Sequence, residues 1–209
     1  MKRTIIIILC LTAVSLHAQT FTIDSISDAV FQRMQGRSYK QGCSIKRSEL
    51  RYLRLSHYDG NGHVVVGELV CNQLIANDIK EIFQELYRNK YPVERMRLID
   101  DYDADDERSM QANNTSCFNF RAIAGSKKLS AHSRGMAIDI NPLYNPCVKR
   151  RRDGSTYVQP ATAHKYTDRS KRWPYMIDKN DLCYRLFVKH GFQWGGAWRS
   201  IKDYQHFER

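Results

Sequence analysis

Two histidines in this chain stand close to carboxylates in a way that could do chemistry. The segment Ser130-Ala131-His132-Ser133-Arg134-Gly135-Met136-Ala137-Ile138-Asp139 supplies an imidazole and a carboxylate, with Gly135 between them to permit a tight approach or unusual backbone angles. Met136, Ala137 and Ile138 read as a buried strand. Asp139 would then need a partner or a metal to offset the cost of burying its charge. The segment Asp203-Tyr204-Gln205-His206-Phe207-Glu208 supplies a second imidazole. Two imidazoles and one carboxylate, with a fourth position left for water, are the donors of a catalytic rather than a structural zinc site. Asp203 lies one turn of chain before His206, within reach of such a water as a general base. From spacing alone, a lone histidine is more often an ordinary core or surface residue. Zinc is inferred from donor types that also suit other divalent ions.

The elements that must position these groups read as an α+β domain with a small antiparallel sheet and flanking helices. Residues 21–47 read as an irregular N-terminal arm with one helix. Leu50–Ser56 alternates as a strand, Asp59-Gly60-Asn61-Gly62 is a turn, and Val64–Val70 is the return strand of a hairpin. Ile75, Ile79, Ile82, Phe83 and Leu86 recur at helical spacing, with Asn77 or Asp78 as cap or first turn and Pro92 as the stop. Met96, Leu98 and Ile99 read as a short strand, and Asp100–Glu107 as a solvated acidic loop or helix start. Phe118–Ile123 and Met136–Ile140 read as further strands. Residues 149–172 read as a long basic loop, and about Asp181–His190 as a last helix stopped by Gly191. His57 and His63 flank the hairpin turn and are expected at the surface. His164 falls in the long loop, and His190 in a last helical turn, where a cation suits the helix dipole.

The residues around the two histidines carry more information than their spacing. SxHxxGxAxD over Ser130–Asp139, followed by WGGxWxxxxDxxH over Trp194–His206, resembles the LAS-type zinc peptidases of bacterial cell walls. Within them it is most similar to the D-alanyl-D-alanine carboxypeptidase and L-alanyl-D-glutamate endopeptidase family. Both motifs match at every fixed position, and the resemblance covers roughly residues 113–209. It implies a LAS-type (hedgehog/D-Ala-D-Ala peptidase-like) zinc peptidase core, with one Zn2+ per chain held by His132, Asp139 and His206. It implies Asp203 as catalytic base; Asp rather than Glu at this place points to the endopeptidase branch. It also suggests Arg121 as a group that clamps substrate or polarises the scissile carbonyl. Ser130, Tyr144, Trp194 and Trp198 are candidate substrate contacts. Ser130 alternatively only holds its loop, and the two tryptophans alternatively belong to the core. The substrate implied is a peptidoglycan stem peptide cut at an L-Ala–D-Glu-type bond. The alternatives are D-alanyl-D-alanine carboxypeptidase action and a wall-binding module without catalysis.

Length and composition agree with this and exclude other classes. The chain has 209 residues, 42% hydrophobic and 26% charged, which excludes collagen-like and wholly disordered proteins. Lys2 and Arg3 before the apolar run Ile5–Leu16, with Ala18 beyond it, read as a signal peptide over residues 1–18. The division expected is that signal, an arm over 19–47 and one peptidase domain over 48–209. The mature chain has no run long enough to span a bilayer and is expected in the periplasm or outside the cell, as a monomer. It carries 31 basic and 22 acidic side chains, net +9, which favours polyanionic partners. Cell-wall polymers fit better than nucleic acid, for which no aromatic–basic motif is present. Five cysteines remain after the signal: Cys43, Cys71, Cys117, Cys147 and Cys183. The number is odd, and sequence leaves their pairing open.

Overall fold

In the computed structural model, which describes residues 19–123 and 126–209, four short helices and eleven strands alternate along the chain. The signal-peptide expectation, with His17 and Ala18, lies outside the described residues. The elements in order are β1 (Phe21–Ser25), α1 (Asp28–Met34), β2 (Leu50–Tyr58), β3 (Val64–Asn72), α2 (Gln73–Arg88), β4 (Arg95–Met96), α3 (Asp106–Gln111) and β5 (Asn114–Thr115). The second half adds β6 (Ala137–Asp139), β7 (Cys147–Arg150), β8 (Thr156–Gln159), α4 (Leu182–Lys189), β9 (Gln193–Trp194), β10 (Lys202–Asp203) and β11 (His206–Glu208). Three small sheets are antiparallel, ordered β1-β2-β3, β10-β7-β8 and β6-β11-β9; β4 and β5 pair in parallel. The mixed α+β class expected from the sequence is observed.

The hairpin of β2 and β3 forms for a local reason. Asp59 Oδ1 accepts from the backbone N–H of Asn61 (2.8 Å) and of His63 (2.9 Å), which closes the turn. β1 then pairs with β2, Ile23 opposite Leu53. Residues 21–25 are therefore part of the first sheet rather than an irregular arm; five residues are too few for alternation to stand out. α2 packs on this sheet through Ile75, Ala76, Ile79, Ile82, Phe83 and Leu86, all buried. Each of the Ile, Leu and Phe side chains stabilises the fold by about 1.5–3 kcal/mol relative to leaving it exposed. The cap of α2 is Asn72, whose Oδ1 accepts from Leu74 N–H (3.0 Å), and not Asn77 or Asp78. Asp78 instead meets His190 (3.0 Å) and Arg209 (2.9 Å), tying α2 to the end of the chain.

Several expectations need correction. His57 is buried, 4% exposed, because its Nδ1–H donates to the Val93 carbonyl (2.7 Å). Leu98 and Ile99 are not strand: Ile99–Tyr102 is a 3-10 turn. The acidic stretch divides, with Asp100 buried under Ser38 N–H (3.0 Å) and Asp105 capping α3. Phe118–Ile123 is not a strand; its backbone bonds go singly to separate segments, among them Val70, His132 and Ser38. Residues 149–172 are not one long loop: β7 and β8 form a hairpin there, followed by a 3-10 segment, Ala161–Thr167. Among the described residues no helix is long and apolar enough to cross a membrane.

The main core joins the two halves of the chain. Leu53, Leu69, Ile79 and Phe83 from the first half pack in one cluster with Ile138, Phe187, Trp194 and Phe207 from the second. β6 and β11, which carry Asp139 and His206, rest on this cluster through Ile138 and Phe207.

Candidate metal centre

His132 lies in a 3-10 turn, Ala131–Arg134, that opens on Ser130 and ends on Gly135. Ser130 Oγ accepts from His132 N–H (3.3 Å), so Ser130 holds the loop. Gly135 has φ +64°, and a Cβ there would sit 2.7 Å from Asn72 N. Only glycine allows the loop to press against the end of β3. The ring of His132 is then fixed from behind, because its Nδ1–H donates to the Cys117 carbonyl (2.6 Å). That bond points Nε2 at the cluster, where the neutral ring would offer its lone pair.

Asp139 and His206 meet because β6 and β11 pair in antiparallel register with these two residues directly opposite. Asp139 Oδ1 lies 3.1 Å from His206 Nδ1, and Oδ2 lies 3.3 Å from His132 Nε2. The two imidazole nitrogens, His132 Nε2 and His206 Nδ1, are 3.2 Å apart. One ligand atom from each of the three residues falls within 4.8 Å of the others. The side chains are 5%, 13% and 8% exposed for His132, Asp139 and His206.

Such close packing of a buried carboxylate and two imidazoles requires a positive charge. Burial opposes ionisation of Asp139, but His132 and His206 hold its carboxyl well below the ordinary range. Burial also opposes charge on His206, yet its bonds to Asp139 and Glu208 push it up to about 10. A proton on His206 is one source of that charge; a divalent cation is another. The donors fit zinc: two imidazoles and one carboxylate, with the far nitrogen of each ring engaged. Cys117 engages His132, and Glu208 Oε2 lies 3.1 Å from His206 Nε2. The role of Glu208 was missed in the sequence. Its one available signal was its position two residues after His206, on the same face of a strand.

Asp203 reaches the site from a different sheet. β10 pairs with β7, Asp203 opposite Cys147. The Gly195–Ala197 turn lies on top of it: a Cβ at Gly195 would be 2.7 Å from the Asp203 carbonyl oxygen and 3.3 Å from His206 Cβ. Asp203 Oδ1 is buried without a hydrogen-bond partner. Burial pushes this carboxyl up to about 6, against the nearby His206.

The other candidates divide. Trp198 is half-buried with its ring 5.2 Å from that of His206, beside the cluster. Trp194 belongs to the core: it is 6% exposed, packs on Tyr184, and its Nε1–H donates to the Tyr204 carbonyl (2.9 Å). Tyr144 sits among Tyr166, Tyr175 and Trp173 in a separate aromatic group under β8. Arg121 is ion-paired with Asp106, at the start of α3, and its backbone N–H donates to Ser133 Oγ (2.9 Å). A surface groove lined by Tyr58, Asp59, Lys90 and Tyr175 shares no residue with the cluster.

Residues 124–209 match a family model described as D-alanyl-D-alanine carboxypeptidase. No curated protein and no solved structure matches the chain. The matched segment contains His132, Asp139, Asp203 and His206, and both sequence motifs. Over residues 124–209, which hold the whole candidate centre, the chain is thus similar to the D-alanyl-D-alanine carboxypeptidases that this family model describes.

Proposed function

We propose that the chain is a zinc-dependent peptidase that hydrolyses amide bonds in peptidoglycan stem peptides. The observation that carries this reading is the convergence of His132, Asp139 and His206 in one buried cluster, within a segment matched to a peptidase family. His132 Nε2, His206 Nδ1 and an Asp139 oxygen would hold the ion. A zinc ion bound there supplies Lewis acidity to water and to an amide carbonyl. The chain's own residues do the rest. The Cys117 carbonyl and Glu208 keep the two rings oriented. Asp203, whose carboxyl burial pushes up to about 6, accepts a proton from the attacking water and delivers one to the leaving amine. Trp198 shields the site from bulk water, which strengthens every charge interaction inside it. Arg121 could clamp a substrate carboxylate only after releasing Asp106. Export from the cytoplasm, at residues 1–18, belongs to the same reading.

The bond favoured is L-Ala–D-Glu, because residue 203 is Asp where related dipeptidases carry Glu. The second reading, release of the terminal D-Ala, is favoured by the description of the matched family. A muramyl pentapeptide isotopically labelled in its terminal D-Ala separates them by mass spectrometry. Endopeptidase action gives muramyl-L-alanine and a single tetrapeptide that keeps the label. Carboxypeptidase action releases labelled free alanine. Recovery of intact substrate alone would reject both readings.

A further inference from the structure

Cys71 lies near the end of β3, and Cys117 follows β5, far away in sequence. The Phe118 N–H donates to the Val70 carbonyl (3.0 Å), which lays the segment around Cys117 beside the end of β3. Val70 and Phe118 turn into one buried cluster, with Met34, Leu50 and Leu98. Cys71 and Cys117, the neighbouring positions, turn together into the other cluster, with Ile75 and Ile138. That is the side-chain alternation of two extended segments lying side by side. The contact is close. Cys117 Sγ lies 3.7 Å from the Gly135 carbonyl oxygen, and a Cβ on Gly135 would be 3.4 Å from Cys71 Cα. The Cys71 thiol is within hydrogen-bonding reach of the Cys117 thiol. Cys43 has the Ile45 carbonyl as its neighbour, Cys147 has Asp203, and Cys183 has Tyr91 and Asp181.

We propose that Cys71 and Cys117 form a disulfide that staples the N-terminal hairpin to the segment supporting His132. The carbonyl that orients the His132 ring belongs to Cys117 itself. A bond at this point therefore fixes the distance between β3 and the back of the metal centre. In the reaction the two thiols lose two protons and two electrons as the S–S bond forms. A glutathione disulfide accepts both and leaves as two glutathione thiols. The side chains are 0% and 3% exposed once folded, so the exchange takes place while the chain is folding. Such a bond suits an oxidising compartment.

The test uses the full chain refolded in a glutathione redox buffer. The product is denatured without reductant, alkylated, cut with trypsin and weighed. The expected result is peptide 55–80 joined to peptide 109–121, two hydrogens lighter than their sum, with Cys10, Cys43, Cys147 and Cys183 alkylated. Reductant should then lower the melting temperature of the wild type by several degrees and leave Cys117→Ser unaffected. Alkylation of both Cys71 and Cys117, or linkage of either to a different cysteine, overturns the proposal. The peptide map needs no variant to fold, and it uses neither substrate nor metal, so its outcome is independent of the peptidase reading.

Discussion

His206 connects three acidic or imidazole neighbours, and removing it should separate binding from folding. His206→Ala is expected to abolish stoichiometric zinc binding, measured by metal analysis after gel filtration. The fold should survive, since Phe207 next to it supplies the apolar anchor of β11. Full retention of one zinc per chain would sink the ligand assignment. Glu208 acts one step further out, through the far nitrogen of His206. Glu208→Gln should weaken zinc affinity by about 10–100-fold, as outer-shell partners of a ligating histidine typically do. Competition with a chromophoric chelator would measure this; an unchanged affinity would leave Glu208 as a surface residue near the site.

Among the elements, β3 and the His132 loop are coupled through one side chain. Asn72 caps α2 with its Oδ1, while its Nδ2–H donates to the Arg134 carbonyl (3.1 Å). Asn72→Ala should therefore cost about 1–2 kcal/mol in a urea melt, the usual range for a lost cap and a buried hydrogen bond. A loss below a few tenths would mean that water replaces both bonds. The hairpin, α2, α4 and β6 were legible in the sequence because each carries its own signal: a turn tetrad, helical spacing, or a buried apolar triplet. β1 was not, since its pairing with β2 depends on residues far away, and the β7–β8 hairpin was not, since its four-residue strands are too short and polar for alternation to stand out. The Asp203–Cys147 and Asp139–His206 oppositions likewise exist only as strand register. The four candidate metal and base residues were legible from motif, whereas Glu208, the burial of His57 and the Cys71–Cys117 neighbourhood needed coordinates.

At the scale of the molecule, the family-matched segment does not own its core. Ile138, Phe187 and Phe207 share one cluster with Leu53, Leu69 and the buried face of α2. A fragment spanning residues 113–209 should accordingly fail to fold alone, giving no cooperative thermal transition by circular dichroism. A fragment that melts cooperatively near the full-length temperature would show that the N-terminal half is an independent layer. His57 adds a pH dependence. Burial pushes its imidazole below the ordinary 6.5, although the Val93 and Tyr58 carbonyls oppose this. The unfolded chain then binds a proton that the folded chain does not, so this group's contribution falls as pH drops below about 6.5. His57→Gln should lose less stability than the wild type between about pH 7.5 and about pH 5. Equal losses in parallel urea melts would assign the acid sensitivity to other groups.

The central claim is that one metal ion at His132, Asp139 and His206 works with Asp203 to cut stem peptides. The most direct measurement titrates zinc into chelated protein while following muropeptide cleavage. The account predicts no cleavage in the chelated protein, recovery complete at one equivalent, and no recovery in Asp203→Ala, although that variant takes up the same one equivalent. Undiminished cleavage by the chelated wild type, or near-native turnover by Asp203→Ala, would contradict it.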